Sequence, residues 1–158
     1  MDLHPDVFPI RFLIGTWRGS GRGEYPTIDP FTYTEEAAFL PGPGKPFLEY
    51  RQRTRGSDGH PLHSETGFIR MTPDGPEMVV AQPTGLTEVH AGALAGTTLE
   101  FRSLEMGATP TAKAVTEVRR RLAVDGSSLT YSLDMAYDQV PLSLHLEATL
   151  ERVPDQGG

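Results

Sequence analysis

Along most of the chain apolar and polar residues alternate with a period of two, the spacing of a β-strand that buries one face. Leu142, Leu144, Leu146, Ala148 and Leu150 share one face of the last such segment, and Ser143, His145, Glu147 and Thr149 share the other. Leu129, Tyr131, Leu133, Met135 and Tyr137 repeat the pattern just before it. Strands are expected near Gly15 to Tyr25, Phe31 to Phe39, Phe47 to Arg55, His63 to Met71, Glu77 to Ala81, Leu86 to Leu94, Thr97 to Leu104, Ala114 to Val124, Ser128 to Tyr137 and Leu142 to Arg152. Turns such as Ser57-Asp58-Gly59, Pro73-Asp74-Gly75-Pro76, Ala95-Gly96 and Asp125-Gly126-Ser127 separate them at intervals of roughly ten residues. Consecutive hairpins make a meander, and about ten strands hide their edges by closing into an antiparallel up-and-down β-barrel wide enough to enclose a cavity. The fold class is therefore all-β.

The first strand is the most distinctive, because Trp17, Gly19, Gly21, Gly23 and Tyr25 fall on one face. Glycines there leave space that another backbone or a flat ligand could enter, or they relieve crowding at a barrel corner. Their spacing fits neither a dinucleotide fingerprint nor a phosphate-binding loop. A short helix from Pro5 to Leu13 is expected to cap one barrel end with Val7, Phe8 and Phe12, and Gly15 to end it. Pro41 to Pro46 reads as a rigid connection, so residues 1–153 are expected to form one domain with a disordered tail at 154–158.

Composition narrows the chemistry. A chain of 158 residues without cysteine has no disulfide, thiolate nucleophile, iron–sulfur cluster or covalent c-type haem. Any metal must be held by His, Met, Tyr, Asp or Glu. No basic segment leads into a long apolar run, so a soluble, cytoplasmic protein is expected, and the net charge of −7 argues against nucleic acid and anionic membranes as partners. Arg119-Arg120-Arg121 is too short to reverse this and reads as solvated strand residues. A homodimer stays open.

Among the five histidines, His4 and His60 read as exposed. His60 and His63, three apart on an extended chain, point to opposite faces, which is wrong for a shared zinc ion. His63 and His90 sit at strand ends, where the plain reading is a surface histidine and lining of a site is the alternative. His145 lies on the polar face of the last strand, so alternation alone points it to water, although a bulge after Pro141 would turn it inward. Glu35 and Glu36 point apart, and no acid–base dyad or nucleophilic triad is defined.

Taken together, the motifs resemble the nitrobindins, a family of haem-binding β-barrels shaped like fatty-acid-binding proteins. Gly15-Thr16-Trp17-Arg18-Gly19-Ser20-Gly21 matches their G-x-W-x-G-x-G signature, and Tyr25-Pro26-Thr27-Ile28 follows it. Gly44-Lys45-Pro46-Phe47-Leu48, Pro61-Leu62-His63-Ser64-Glu65-Thr66-Gly67-Phe68, Ala81-Gln82-Pro83-Thr84-Gly85, Ala112-Lys113 and Pro141-Leu142-Ser143-Leu144-His145-Leu146 continue in family order. The resemblance implies a non-covalent ferric haem b whose iron is held by His145. It also implies that Thr27 faces the haem, that Leu62 and His63 lie on its open side, that Gln82 and Met135 line the pocket, and that Lys113 meets a propionate. The implied activity is isomerisation of peroxynitrite to nitrate, with nitric oxide as a second ligand. The alternative is a non-enzymatic carrier of a fatty acid, for which Arg51, Arg53, Arg70 or Arg119 would have to point inward.

Overall fold

A computed structural model describes residues 2–156. Ten strands follow in chain order: β1 (Gly15–Tyr25), β2 (Ile28–Pro41), β3 (Leu48–Gly56), β4 (Pro61–Thr72), β5 (Gly75–Ala81), β6 (Leu86–Ala95), β7 (Thr98–Ala108), β8 (Val115–Asp125), β9 (Ser128–Tyr137) and β10 (Val140–Arg152). Each pairs antiparallel with its sequence neighbour, and β10 returns to pair with β1, so the sheet closes on itself. Closure leaves no unpaired edge to template aggregation. The expected hairpins form, with Gly96 (φ 58°) and Gly126 (φ 59°) supplying the left-handed residue in two of them. Among the described residues no helix is long and apolar enough to cross a membrane.

Alternation is strict where one face is packed. In β3, Leu48, Tyr50, Gln52 and Thr54 are buried while Arg51, Arg53 and Arg55 are exposed. The apolar core fills one half of the barrel with Trp17, Phe39, Leu48, Ile69, Leu99, Leu129 and Leu150.

That end is stoppered by the segment Pro5–Leu13, which is a 3₁₀ helix. With three residues per turn its inward face is Val7, Ile10 and Leu13. The expectation that Phe8 and Phe12 would cap the barrel is corrected: Phe8 is 48% exposed and Phe12 only packs at the margin. Trp17 is completely buried beneath the helix and donates its indole N–H to the Leu13 carbonyl at 2.8 Å. Arg152 lies over the Trp17 ring, 4.1 Å from its centre, and its guanidinium donates to the Phe12 and Ile14 carbonyls, tying the last strand to the plug. Beyond it Val153 N–H bonds to the Thr16 carbonyl, Pro154 to Gln156 have no regular structure, and the rest of the expected tail, Gly157 and Gly158, lies outside the described residues.

The space over the glycines of β1 is already occupied. Gly21 pairs with Tyr33 and Gly23 with Phe31 across the β1–β2 ladder. A Cβ at either glycine would fall inside the partner's aromatic ring, whereas at Gly19 it would strike the backbone of Thr149 and Leu150. Of the sequence readings, close backbone approach therefore holds at Gly19, while at Gly21 and Gly23 the flat occupant is the protein's own β2.

Candidate haem site

The other half of the barrel is a cavity of about 1390 Å³ that opens among the β1–β2, β3–β4, β5–β6, β7–β8 and β9–β10 connections. Thr27, Leu62, His63, Gln82, Lys113, Met135 and His145, brought to attention from six separated stretches of sequence, all line it. Leu62 is largely exposed at the mouth, and Lys113 sits there with its ammonium 5.9 Å from the centre of the Tyr137 ring.

His145 reaches the cavity because β10 is irregular. Its register with β9 runs Leu144↔Asp134 and then Leu146↔Leu133, leaving His145 as the extra residue of a bulge, and a second shift lies between Val140 and Ser143. The two shifts break the alternation that would have aimed His145 outward. A matching shift in β1 between Gly23 and Tyr25 accompanies the Glu24 carbonyl, which accepts a hydrogen bond from His145 Nδ1 at 3.0 Å. Because a carbonyl can only accept, Nδ1 carries the proton and the lone pair of the neutral ring sits on Nε2. Nε2 has no hydrogen-bonding partner among the described residues. Burial holds the imidazole pKa below its ordinary value, with the Glu24 hydrogen bond opposing, so the neutral, metal-binding form prevails at neutral pH. Tyr25 and Phe31 stand edge-on to the ring at 5.5 and 6.5 Å between centres, and Tyr25 is itself fixed by donating to the Met135 carbonyl at 3.0 Å. Phe31 can take this place only because Gly23 has no side chain.

Below the mouth the cavity wall is polar. Arg120, on β8, is 8% exposed and forks between two carboxylates: its guanidinium donates to both oxygens of Glu65 on β4, and to Glu88 at 2.9 and 2.8 Å on β6. His63 Nε2 donates to Glu65 at 3.1 Å, Tyr50 O–H to Glu65 at 2.7 Å, His90 Nε2 to Glu88 at 2.7 Å and Gln82 to Glu88 at 2.5 Å. Burial alone would raise both carboxylic pKa values, but the guanidinium outweighs it and holds Glu65 well below the usual carboxylate range and Glu88 at about 2.

A second polar group lies beside the first. Tyr131, on β9, donates a short hydrogen bond to Glu35 on β2, and the Tyr33 and Tyr131 hydroxyls are 2.6 Å apart. Burial is the main cause that lifts the Glu35 pKa to about 7.

Three sequence readings change here. Arg120 is a buried ion-pair hub, whereas Arg119 and Arg121 are solvated as expected. His90 is fully buried and packs against Phe101, so it is neither a surface residue nor part of the cavity wall. The alternation that buries Glu35, Glu65 and Glu88 is visible in the sequence, since each shares an inward face with an apolar neighbour, as Glu35 does with Ala37, Glu65 with Ile69 and Glu88 with Leu86. Arg51, Arg53, Arg70 and Arg119, needed to hold a fatty-acid carboxylate, are all exposed. The buried arginine, Arg120, is already bound to two carboxylates, so the interior gives the lipid-carrier reading no support.

The model of the THAP4-like, heme-binding beta-barrel domain matches residues 6–152. Among curated relatives, "Peroxynitrite isomerase 1" of Rhodococcus jostii (strain RHA1) is 53% identical over 140 residues, covering 87% of this chain and 79% of the relative. "Peroxynitrite isomerase 2" of Mycobacterium avium (strain 104) is 48% identical over 157 residues, covering 96% and 97%. The crystal structure of Rv2717c from M. tuberculosis superposes with a TM-score of 0.87 at 44% identity, covering 97% of this chain and 100% of that one.

Proposed function

Because the chain belongs to the THAP4-like, heme-binding β-barrel family, the nitrobindins, we propose that it holds a ferric haem b through His145 Nε2 and isomerises peroxynitrite to nitrate. The observation that carries the axial assignment is an imidazole on the cavity wall, neutral, with Nδ1 fixed by the Glu24 carbonyl and Nε2 free. A metal-binding histidine needs that arrangement, its second nitrogen donating to a fixed acceptor.

The bound haem supplies a Lewis-acidic iron that polarises peroxynitrite toward rearrangement. The chain's residues do the rest by positioning and exclusion. The Tyr25 and Phe31 rings hold the imidazole plane against rotation, and Leu62, Met135 and Ile28 present apolar surface that keeps bulk water from the pocket. Lys113 places a positive charge at the mouth, where a propionate is to be neutralised, and Thr27 faces the same space. His63 is oriented by Glu65 on the open side. The rearrangement moves no net proton, so no residue has to act as acid or base. Nitric oxide would be the second ligand of a haem held in this way.

Titrating haem into the purified protein is expected to give one stoichiometric Soret transition, lost in His145→Gly and restored by added imidazole. Undiminished haem binding with an unchanged spectrum in the glycine variant would overturn the axial assignment.

A further inference from the structure

The proposed haem reading gives the Tyr131–Glu35 pair no role, yet the pair lies on the cavity wall at the end of a run of aromatic rings that starts at His145. From His145 to Phe31 is 6.5 Å between ring centres, from Phe31 to Tyr33 is 6.0 Å, and the Tyr33 hydroxyl touches that of Tyr131. We infer that Tyr131 is an internal one-electron donor that quenches radicals of the nitrogen dioxide type inside the barrel, with Glu35 as acceptor of its phenolic proton and Tyr33 as hydrogen-bond partner of the oxygen left behind.

The chemistry requires such an arrangement. A phenol that loses an electron without losing its proton becomes a strongly acidic cation, which a buried site cannot accommodate. In the step assigned here one electron passes from Tyr131 to nitrogen dioxide, giving nitrite. The O–H proton passes to the Glu35 carboxylate, leaving a neutral phenoxyl radical and a neutral carboxylic acid. An external one-electron donor such as ascorbate then reduces the phenoxyl radical, and the proton held by Glu35 returns to the oxygen, restoring both the phenol and the carboxylate.

Burial favours this direction. Tyr131 stays a phenol, because desolvation and the neighbouring Glu35 charge push its pKa far up, so its proton must leave together with the electron. The groups facing Glu35 are the Tyr131 and Tyr33 hydroxyls, the Gln52 amide on β3, the Glu65 carboxylate on β4 and the Arg120 guanidinium on β8, with Glu147 of β10 acting on Tyr33. Arg120 is shared between Glu65 and Glu88 and does not donate to Glu35. Accepting a proton therefore removes a poorly compensated buried charge. Gln52 Oε1, buried and without a hydrogen-bonding partner among the described residues, adds to the unrelieved negative potential there.

Haem is not needed for the step; the proposed peroxynitrite reaction only explains why such a radical would arise in this cavity. The experiment supplies the oxidant directly, so the two readings fail separately. Nitrogen dioxide, generated radiolytically from nitrite, is presented to the full chain with and without haem, and the radical is followed by transient phenoxyl absorption, electron paramagnetic resonance and peptide mapping of nitrotyrosine. The wild-type protein is expected to place the radical on Tyr131 rather than on Tyr25, Tyr33, Tyr50 or Tyr137, with or without haem. Tyr131→Phe should abolish that signal, and Glu35→Gln should slow its formation on the order of 100-fold, the usual worth of a positioned base. The wild-type rate should rise as pH passes through about 7, and the Glu35→Gln rate should not. A radical mapped in the wild-type chain to any other tyrosine, or a rate indifferent to Glu35→Gln, overturns the inference. The mapping needs no variant and stands even if Tyr131→Phe does not fold.

Discussion

At the residue scale the interior carboxylates differ in what surrounds them, and pH should separate them. Glu35 has a folded pKa of about 7 against an ordinary 4.5, so between those values the folded chain retains a proton that the unfolded chain has released. Stability should therefore fall as pH rises from 4.5 to about 7 and not recover above it, by no more than about 3 kcal/mol. Glu88, and Glu65 even more, have depressed values; their contribution is complete above the ordinary carboxylate range and is lost as pH falls toward about 2. Thermal unfolding across this range should show Glu35→Gln gaining on the wild type as pH is raised from 5 to 8, while the acid-side loss is retained. Equal pH slopes for the two proteins would contradict the assignment. Arg120 is the counterpart to these charges, and its role was hidden by two exposed arginines on either side. The alternation of Val118, Arg120 and Leu122 carried the information, but a charge between two apolar residues of an inward face is easily taken for part of a basic run.

At the scale of elements, β1 and β2 act as one device. Gly21 and Gly23 make room for Tyr33 and Phe31, which respectively anchor Tyr131 and brace His145. Gly23→Ala should displace the Phe31 ring, costing about 1–3 kcal/mol of stability. Haem affinity should drop roughly 10- to 100-fold, as when a group that orients a metal ligand is lost. Titration with haem at a temperature where the variant is folded checks this, and unchanged affinity would show that Phe31 does not orient the imidazole. The strands themselves were legible because alternation and turn residues are local signals, and expected and observed limits differ by only a few residues. Irregularities of register were not legible. The extra residue at His145 is defined by pairing with β9, so it leaves no trace in the pattern of one strand; Pro141 allowed a bulge, and the family resemblance pointed inward. The plug itself was legible but its inward face was not: with nine residues, two of them Pro5 and Pro9, the choice between periods of 3.0 and 3.6 is made by docking against Trp17.

The whole molecule depends on the β1–β10 seam, where the two ends of the chain meet. Arg152 spans that seam to the Phe12 and Ile14 carbonyls and stacks on Trp17, so Arg152→Ala should cost about 2–3 kcal/mol, from the cation–π contact and two charged hydrogen bonds. Urea unfolding should show the loss as a lower midpoint with an unchanged slope, because the same surface is exposed on unfolding. A midpoint within error of the wild type would mean that the seam holds without it. The plug at this end has a kinetic corollary. With Trp17 and the 3₁₀ segment sealing one end, the cavity is reached from the opposite end, past the wall that carries His145. A bulky guest seated at that threshold would slow arrivals and departures alike without touching the imidazole.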